Sequence, residues 1–483
     1  MKTIVLTPSN WGPPVVRPRL QLVLLLAAAA TLAGCASFSP DGGFSTVEQA
    51  ARERLGKEVR LARTPGDQDG IDQRVAELLA KPLSADDAVQ IALLNNRGLQ
   101  ASFQELGITE AEVVQSGRVP NPGFSFSRLR RGDESELERG IHFNLARLIA
   151  MPMISAMEAR RFEATKGMVT MTMLSVAADT RKAWVTALAA EETVRYMRQV
   201  KQAAEASAEL ARRMEQVGNF NKLQRAREQS FYADAALNLA RAEQAQRATR
   251  ERLTRLLGLW GAQTQFNLPD RLPDLPQDLV DRPDIERVAL AQRLDVQGAK
   301  LAAEQTARNL GLTKTTRFIN VLELGTVRNS SNEAPTQRGW EIGVELPLFD
   351  WGGARVARAE GVYMQAVHRA AETAINARSE VREAYGAWRS AYDIARHHQD
   401  EIVPLRKQIA EENVLRYNGM LIGVFELLAD ARAQIGSVNA AIEAKRDFWI
   451  AQADLDMALI GKPSLAAAAG PAGATTAAEA QGH

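Results

Sequence analysis

Trp340-Glu341-Ile342-Gly343-Val344-Glu345-Leu346 alternates without a fault, with Trp, Ile, Val and Leu at every second position and Glu, Gly and Glu between them. A strand turns successive side chains to opposite faces, so this run reads as a β-strand with one apolar and one polar face. Upstream, residues 318–327 are β-prone though less regular, and the polar run 328–338, which contains Pro335, reads as the loop of a hairpin spanning 318–348. A counterpart lies at 122–148 in the first half of the chain. Pro120-Asn121-Pro122-Gly123 breaks a preceding helix, Phe124-Ser125-Phe126-Ser127 and Ile141-His142-Phe143-Asn144-Leu145 alternate, and the charged run 128–139 reads as the loop between them. Strands of roughly 8–10 residues match a tilted membrane-spanning strand. Phe124, Phe126, Ile342 and Val344 are then lipid-facing, and Glu341 and Glu345 face water. Two soluble hairpins packed on a helical core are the competing reading of the same pattern.

A long, Pro-poor helical hairpin is expected after each β-hairpin, at 154–258 and at 354–460, with Pro404 as the one kink of the second. The turns are Val217-Gly218-Asn219-Phe220-Asn221 and the stretch from Tyr417 through Gly419 to Gly423. Glycine ends a helix by taking the left-handed conformation at little cost, so Gly218 and Gly419 mark the far tips. A run of about 60 residues is roughly 90 Å long at 1.5 Å per residue, too long for a compact globule. The apolar stripes are thin and Ala-rich, which suits coiled-coil-like contact between neighbouring helices.

The chain repeats itself once. Ala92-Leu93 through Gln100 and Ala289-Leu290 through Gln297 coincide at an offset of about 200 residues, the mark of a domain duplication rather than a solenoid. The repeats are expected at 83–266 and 284–461, joined by a Pro-rich linker at 267–283. Four strands per chain cannot close a spanning barrel, and lipid tolerates no open sheet edge, so several copies must contribute. Two copies give eight strands and three give twelve; strand counting alone leaves both open.

Charge and composition narrow the function. The chain has 59 basic against 58 acidic residues, a net +1 that offers no field for nucleic acid. Its single cysteine excludes intrachain disulfides and Cys-based zinc sites. His397 and His398 are adjacent and point about 100° apart on a helix, so they do not form a metal pair. The methionines between Met151 and Met173 read as flexible filling rather than copper ligands. No phosphate loop, His-Glu-x-x-His or nucleophile elbow occurs, and no cofactor is expected.

The single cysteine falls at Cys35, after basic Arg17 and Arg19, an apolar run and Leu32-Ala33-Gly34. This reads as a signal peptide over 1–34, and Leu-Ala-Gly-Cys resembles a bacterial lipobox. That resemblance implies a lipidated mature terminus at Cys35, and Ala36, in place of Asp, implies sorting to the outer membrane. Residues 35–82 are expected to form the lipidated N-terminal segment, and the Ala/Gly-rich residues 462–483 to be a disordered tail.

An ordered set of short motifs carries a wider resemblance. Leu83-Ser84, Ala88, Ala92-Leu93, Asn95-Asn96 and Leu99 resemble the opening signature of the TolC-like outer-membrane efflux channels. Asn121-Pro122, Leu346-Pro347-Leu348-Phe349-Asp350 with Gly352-Gly353, and Arg416-Tyr417 with Gly419 and Glu426-Leu427-Leu428 follow in that family's order. The resemblance implies a mainly α fold with membrane β. It implies a homotrimer whose twelve strands would form one barrel in outer-membrane lipid and whose helices would form a periplasmic tunnel. It also implies a periplasmic membrane-fusion adaptor and an inner-membrane pump as partners, and a passive conduit that does no catalysis. Glu426 falls where some members ring the periplasmic aperture with acid; a solvated helix charge is its other reading. Ala429 and Ile422 depart from the family pattern, so the closed-state lock differs here. Two other classes stay in view: a periplasmic coiled-coil lipoprotein scaffold without a pore, and a secreted hydrolase.

Overall fold

The computed structural model describes residues 37–316, 322–344 and 348–462. Cys35, the expected signal peptide, Glu345, Leu346 and the C-terminal tail from residue 463 lie outside the described residues. The chain forms two compact units. One gathers Glu110–Ala159 and Thr315–Gly353 with the N-terminal stretch to Pro40; the other gathers Asp41–Thr109, Arg160–Lys314 and the chain from Ala354.

Among the described residues the first unit holds one antiparallel sheet of four strands in sequence order: β1 (Gly123–Arg131), β2 (Glu134–Asn144), β3 (Leu322–Ser331) and β4 (Gln337–Val344). Each repeat contributes one hairpin, and β2 pairs with β3 to join them. The loops are shorter than the charge pattern predicts. The strands run through the charged residues, and Arg131 pairs directly with Glu134 across a two-residue turn in which Gly132 has φ +61°. A glycine with positive φ at the first turn position fits the tight hairpin turn that matches strand twist. In the second hairpin the ladder extends to Asn329 opposite Gln337. Charge did not stop these strands because the ladder is made of backbone groups, and the side chains there are exposed or half-exposed. Asn332 links the two loop ends, donating to the Asp133 carbonyl (2.9 Å) and accepting from the Ser135 amide (2.8 Å).

The second unit is helical. It contains α1 (Phe44–Leu55), α2 (Pro65–Leu79), α3 (Ala85–Asn95) and most of α4 (Arg97–Ser116). The long helices are α5 (Leu145–Gln216), which starts in the strand-bearing unit, and α6 (Lys222–Leu257). In the second repeat they are followed by α7 (Ile285–Gln292), α8 (Leu294–Thr316), α9 (Gly353–His397), α10 (Val403–Asn418) and α11 (Val424–Ala458). Two boundaries correct the expectations. The first long helix starts at Leu145 rather than 154, because the Asn144 side chain caps it by accepting from the Arg147 amide (2.8 Å); β2 therefore ends at Asn144, and Pro152 sits inside the helix. The interruption near Pro404 is a π-helical turn over His398–Ile402, in which the Val403 amide donates to the His398 carbonyl. Proline has no N–H and its ring crowds the carbonyl four residues back, so the wider turn accommodates it.

The duplication is visible bond by bond. Gln100 donates to the Leu94 carbonyl (3.1 Å), and Gln297 makes the same bond to Ala291 (3.0 Å). Asn96 donates to the Leu256 carbonyl near the end of α6, and Arg293 to the Ala458 carbonyl at the end of α11. In each repeat the junction between the two short helices satisfies carbonyls that a helix end leaves without partners.

Residues 267–283 are largely exposed but tied down at several points. Leu268 and Leu272 lie in a core with Trp184, Leu188 and Leu257. Proline-rich backbone offers few donors but keeps its carbonyls. Trp449 donates to Pro273 (3.2 Å), and the Tyr392 hydroxyl lies within hydrogen-bond distance of the Pro276 (3.0 Å) and Gln277 (2.8 Å) carbonyls.

Candidate functional site

The ladder register sorts the side chains of the sheet. Residues directly opposite one another share a face, so Phe124 stands with Ile141, Thr326 and Trp340, and Phe143 with Leu324 and Ile342. Leu322 and Val344 complete this apolar band. Its large side chains are open: Phe124 is 68% exposed, Trp340 73% and Val344 56%. The other face is polar and small, with His142, Gly325 and Glu341 on one rung and Ser127, Glu138, Asn329 and Gln337 on another. Leu129 and Val327 are its exceptions. Phe124, Phe126, Ile342 and Val344, chosen from two separate stretches of sequence, fall on a single face of a single sheet. Among the described residues both edge strands, β1 and β4, keep one unpaired side.

The two helical turns share one capping motif. At the first, Asn219 donates to Met214 (2.8 Å) and Gly218 to Glu215 (3.0 Å), with Gly218 at φ +79°. At the second, Leu421 donates to Arg416 (2.8 Å) and Met420 to Tyr417 (2.9 Å). This is the Schellman pattern in both. The left-handed residue of the second turn is Met420, at φ 57°, and not Gly419, whose φ is −78°. The hydrogen-bond register fixes which residue turns left-handed, and here glycine stands one position early. Met420 and Leu421 are 92% and 75% exposed. Glu426 lies exposed in the first turn of α11, its amide bonded to the Gly423 carbonyl (3.2 Å). Asp430, one turn on, accepts from Asn413 of α10 and pins the two arms of that hairpin together.

Buried polar links join the helices, both between the two repeats and within the second. Glu228 of α6 accepts from Ser207 of α5 (2.8 Å) and pairs with Arg432 of α11 (3.2 Å), whose guanidinium stacks on Phe231. Lys182 of α5 pairs with Asp454 of α11 (2.8 Å). Arg293, 1% exposed, bonds Asp295 (2.6 Å) and Glu380 (2.7 Å). Burial pulls its pKa down, but those two carboxylates outweigh burial and raise it. Burial pushes the Asp456 carboxyl up against the opposing charge of Arg181. Nothing in the spacing of the sequence pairs Glu228 with Arg432 or Lys182 with Asp454, more than 200 positions apart.

Among the described residues no helix is long and apolar enough to cross a membrane, and no His, Cys, Asp and Glu cluster is placed to hold a metal ion. No protein-family model matches the chain. The chain is similar to the cobalt-zinc-cadmium resistance protein CzcC of Cupriavidus metallidurans, 25% identical over 286 residues. That match spans 56% of this chain and 64% of the relative, less than two thirds of its length. Among solved structures, the CmeC outer membrane channel of Campylobacter jejuni superposes with a TM-score of 0.67 at 18% identity, covering 84% of this chain and 91% of that one. The open-state MtrE outer membrane channel of Neisseria gonorrhoeae gives 0.64 at 19% identity, covering 77% and 88%. With its paired β-hairpins, doubled helical hairpins and these structural neighbours, the chain shares the fold of these outer membrane channels.

Proposed function

We infer that this protein is the outer-membrane channel of a tripartite efflux system, a passive conduit from a periplasmic adaptor and inner-membrane pump to the exterior. The carrying observation is the four-stranded sheet with one exposed apolar face and two unpaired edges. In water that face and those edges invite aggregation; in lipid the face is satisfied and the edges pair with other copies. Three copies give a twelve-stranded barrel lined by the polar face. A pore-free periplasmic scaffold gives the apolar face nothing to contact, so the channel reading is favoured. The reading assigns no catalysis.

The finer parts follow from the same reading. Cys35 carries lipid. The tips at Gly218 and at Tyr417–Gly419 point into the periplasm toward the adaptor, and Glu426 of three copies rings the aperture. The likeness to a cobalt-zinc-cadmium resistance protein favours divalent transition-metal cations as cargo. Light-scattering mass of the detergent-purified protein tests assembly: three chains per particle are expected, and a stable monomer contradicts the reading. Cys35→Ala is expected to leave an unprocessed precursor by mass spectrometry.

A further inference from the structure

Arg139, Arg328 and Arg338 stand in one row across β2, β3 and β4, each directly opposite the next. Arg128 and Arg130 of β1 share their face and lie nearer the turn. All five are exposed, and none makes an ion pair among the described residues. The acids of the strands, Glu134, Glu136, Glu138, Glu323 and Glu341, all fall on the opposite face. Like charges directly opposite on neighbouring strands repel and destabilise the ladder. A row of planar guanidinium groups with no acid on its face is a receptor for tetrahedral oxyanions, which bridge neighbouring arginines by paired hydrogen bonds.

The position of the row selects among anions. It borders the apolar band one rung above Phe124, Ile141, Thr326 and Trp340, on the side of the hairpin turns and away from the strand ends that lead into the helices. Tryptophan beside arginine at the limit of an apolar band is the signature of a membrane–water interface. We propose that Arg139, Arg328 and Arg338 bind the headgroup phosphates of outer-leaflet lipid, neutralising the row and fixing the depth of the barrel. The inference rests on the channel reading, because that reading puts the apolar face in lipid.

Native mass spectrometry of the full-length detergent-purified oligomer, with bis-phosphorylated lipid A, dephosphorylated lipid A and inorganic phosphate as probes, tests it. The bis-phosphorylated lipid is retained and the dephosphorylated one lost, and millimolar inorganic phosphate does not displace it. The triple variant R139Q/R328Q/R338Q weakens retention by on the order of a hundredfold, while the triple lysine variant, keeping charge without the planar fork, falls between. Equal retention of both lipids by the wild type, or undiminished retention by the glutamine variant, overturns the proposal. Should the glutamine variant fail to assemble, the wild-type comparison of the two lipids decides alone. Wild-type conductance in phosphate-free bilayers reports the channel reading separately: pores without phosphate preference overturn only the lipid inference, and absent pores overturn the channel.

Discussion

Arg293 shows how one side chain serves packing and repeat architecture together. It is buried, pairs with Asp295 and Glu380, and holds the Ala458 carbonyl at the end of α11. Arg293→Ala leaves two carboxylates without their cation, and breaking a buried pair from one side costs about 3–5 kcal/mol. Thermal or denaturant unfolding of the variant should show that loss, with Arg293→Met milder. Asp456 behaves in the opposite sense. Its folded pKa is raised, mainly by burial, so the folded state binds the proton more tightly than the unfolded state. Its contribution to stability is therefore full below the unfolded value and is lost as pH rises through the folded value. Asp456→Asn, which keeps an oxygen for the Gln452 amide (2.9 Å), should unfold at a higher temperature than wild type at neutral pH. The advantage should shrink in acid; an advantage independent of pH contradicts the burial account.

At the scale of elements, the tips are the sharpest comparison. Both close with the same hydrogen bonds, yet one puts glycine and the other methionine in the left-handed position. A left-handed non-glycine residue costs roughly 1–2 kcal/mol. Met420→Gly should stabilise the second tip, and Gly218→Ala should destabilise the first by about 1 kcal/mol; amide hydrogen exchange in the last turns of α5 and α10 reads both locally. The tips were legible as turns because Gly-Asn and Asn-Gly interrupt long Pro-poor runs, but the exact left-handed residue depends on hydrogen-bond register, which composition does not carry. The strands were legible where Trp340, Ile342 and Val344 alternate. They were not legible through the charged residues 128–139, where the ladder continues because backbone, not side chains, makes it. Helices α1 and α2 went unread although Thr64-Pro65 and Asp67 form a capping box with proline in the first turn. The cores they enter, around Val47, Ala51 and Val75, draw partners from α3, α5 and beyond.

The whole molecule is a duplication that shares one sheet. The offset between Ala92 and Ala289 made the repeat readable, and Gln100 and Gln297 repeat the same bond in three dimensions. The β2–β3 pairing that joins the repeats was not readable, since nothing local specifies a partner strand so distant in sequence. Its consequence is an apolar face continuous across four strands. Val344→Arg puts a charge on that face and should cost about 2–4 kcal/mol if the position lies near the bilayer midplane, read as earlier heat dissociation of the oligomer in lipid; an Arg at Glu341, on the polar face, should cost far less. The central claim is that copies of this sheet close into a water-filled pore. Planar-bilayer recording of the purified full-length protein tests it most directly. The account predicts discrete conductance steps, cation-selective in asymmetric KCl, with the reversal potential moved toward zero in Glu426→Gln if three such carboxylates ring the aperture. A properly folded, lipid-inserted protein that conducts no ions, even after substitutions that loosen the tips, would contradict it.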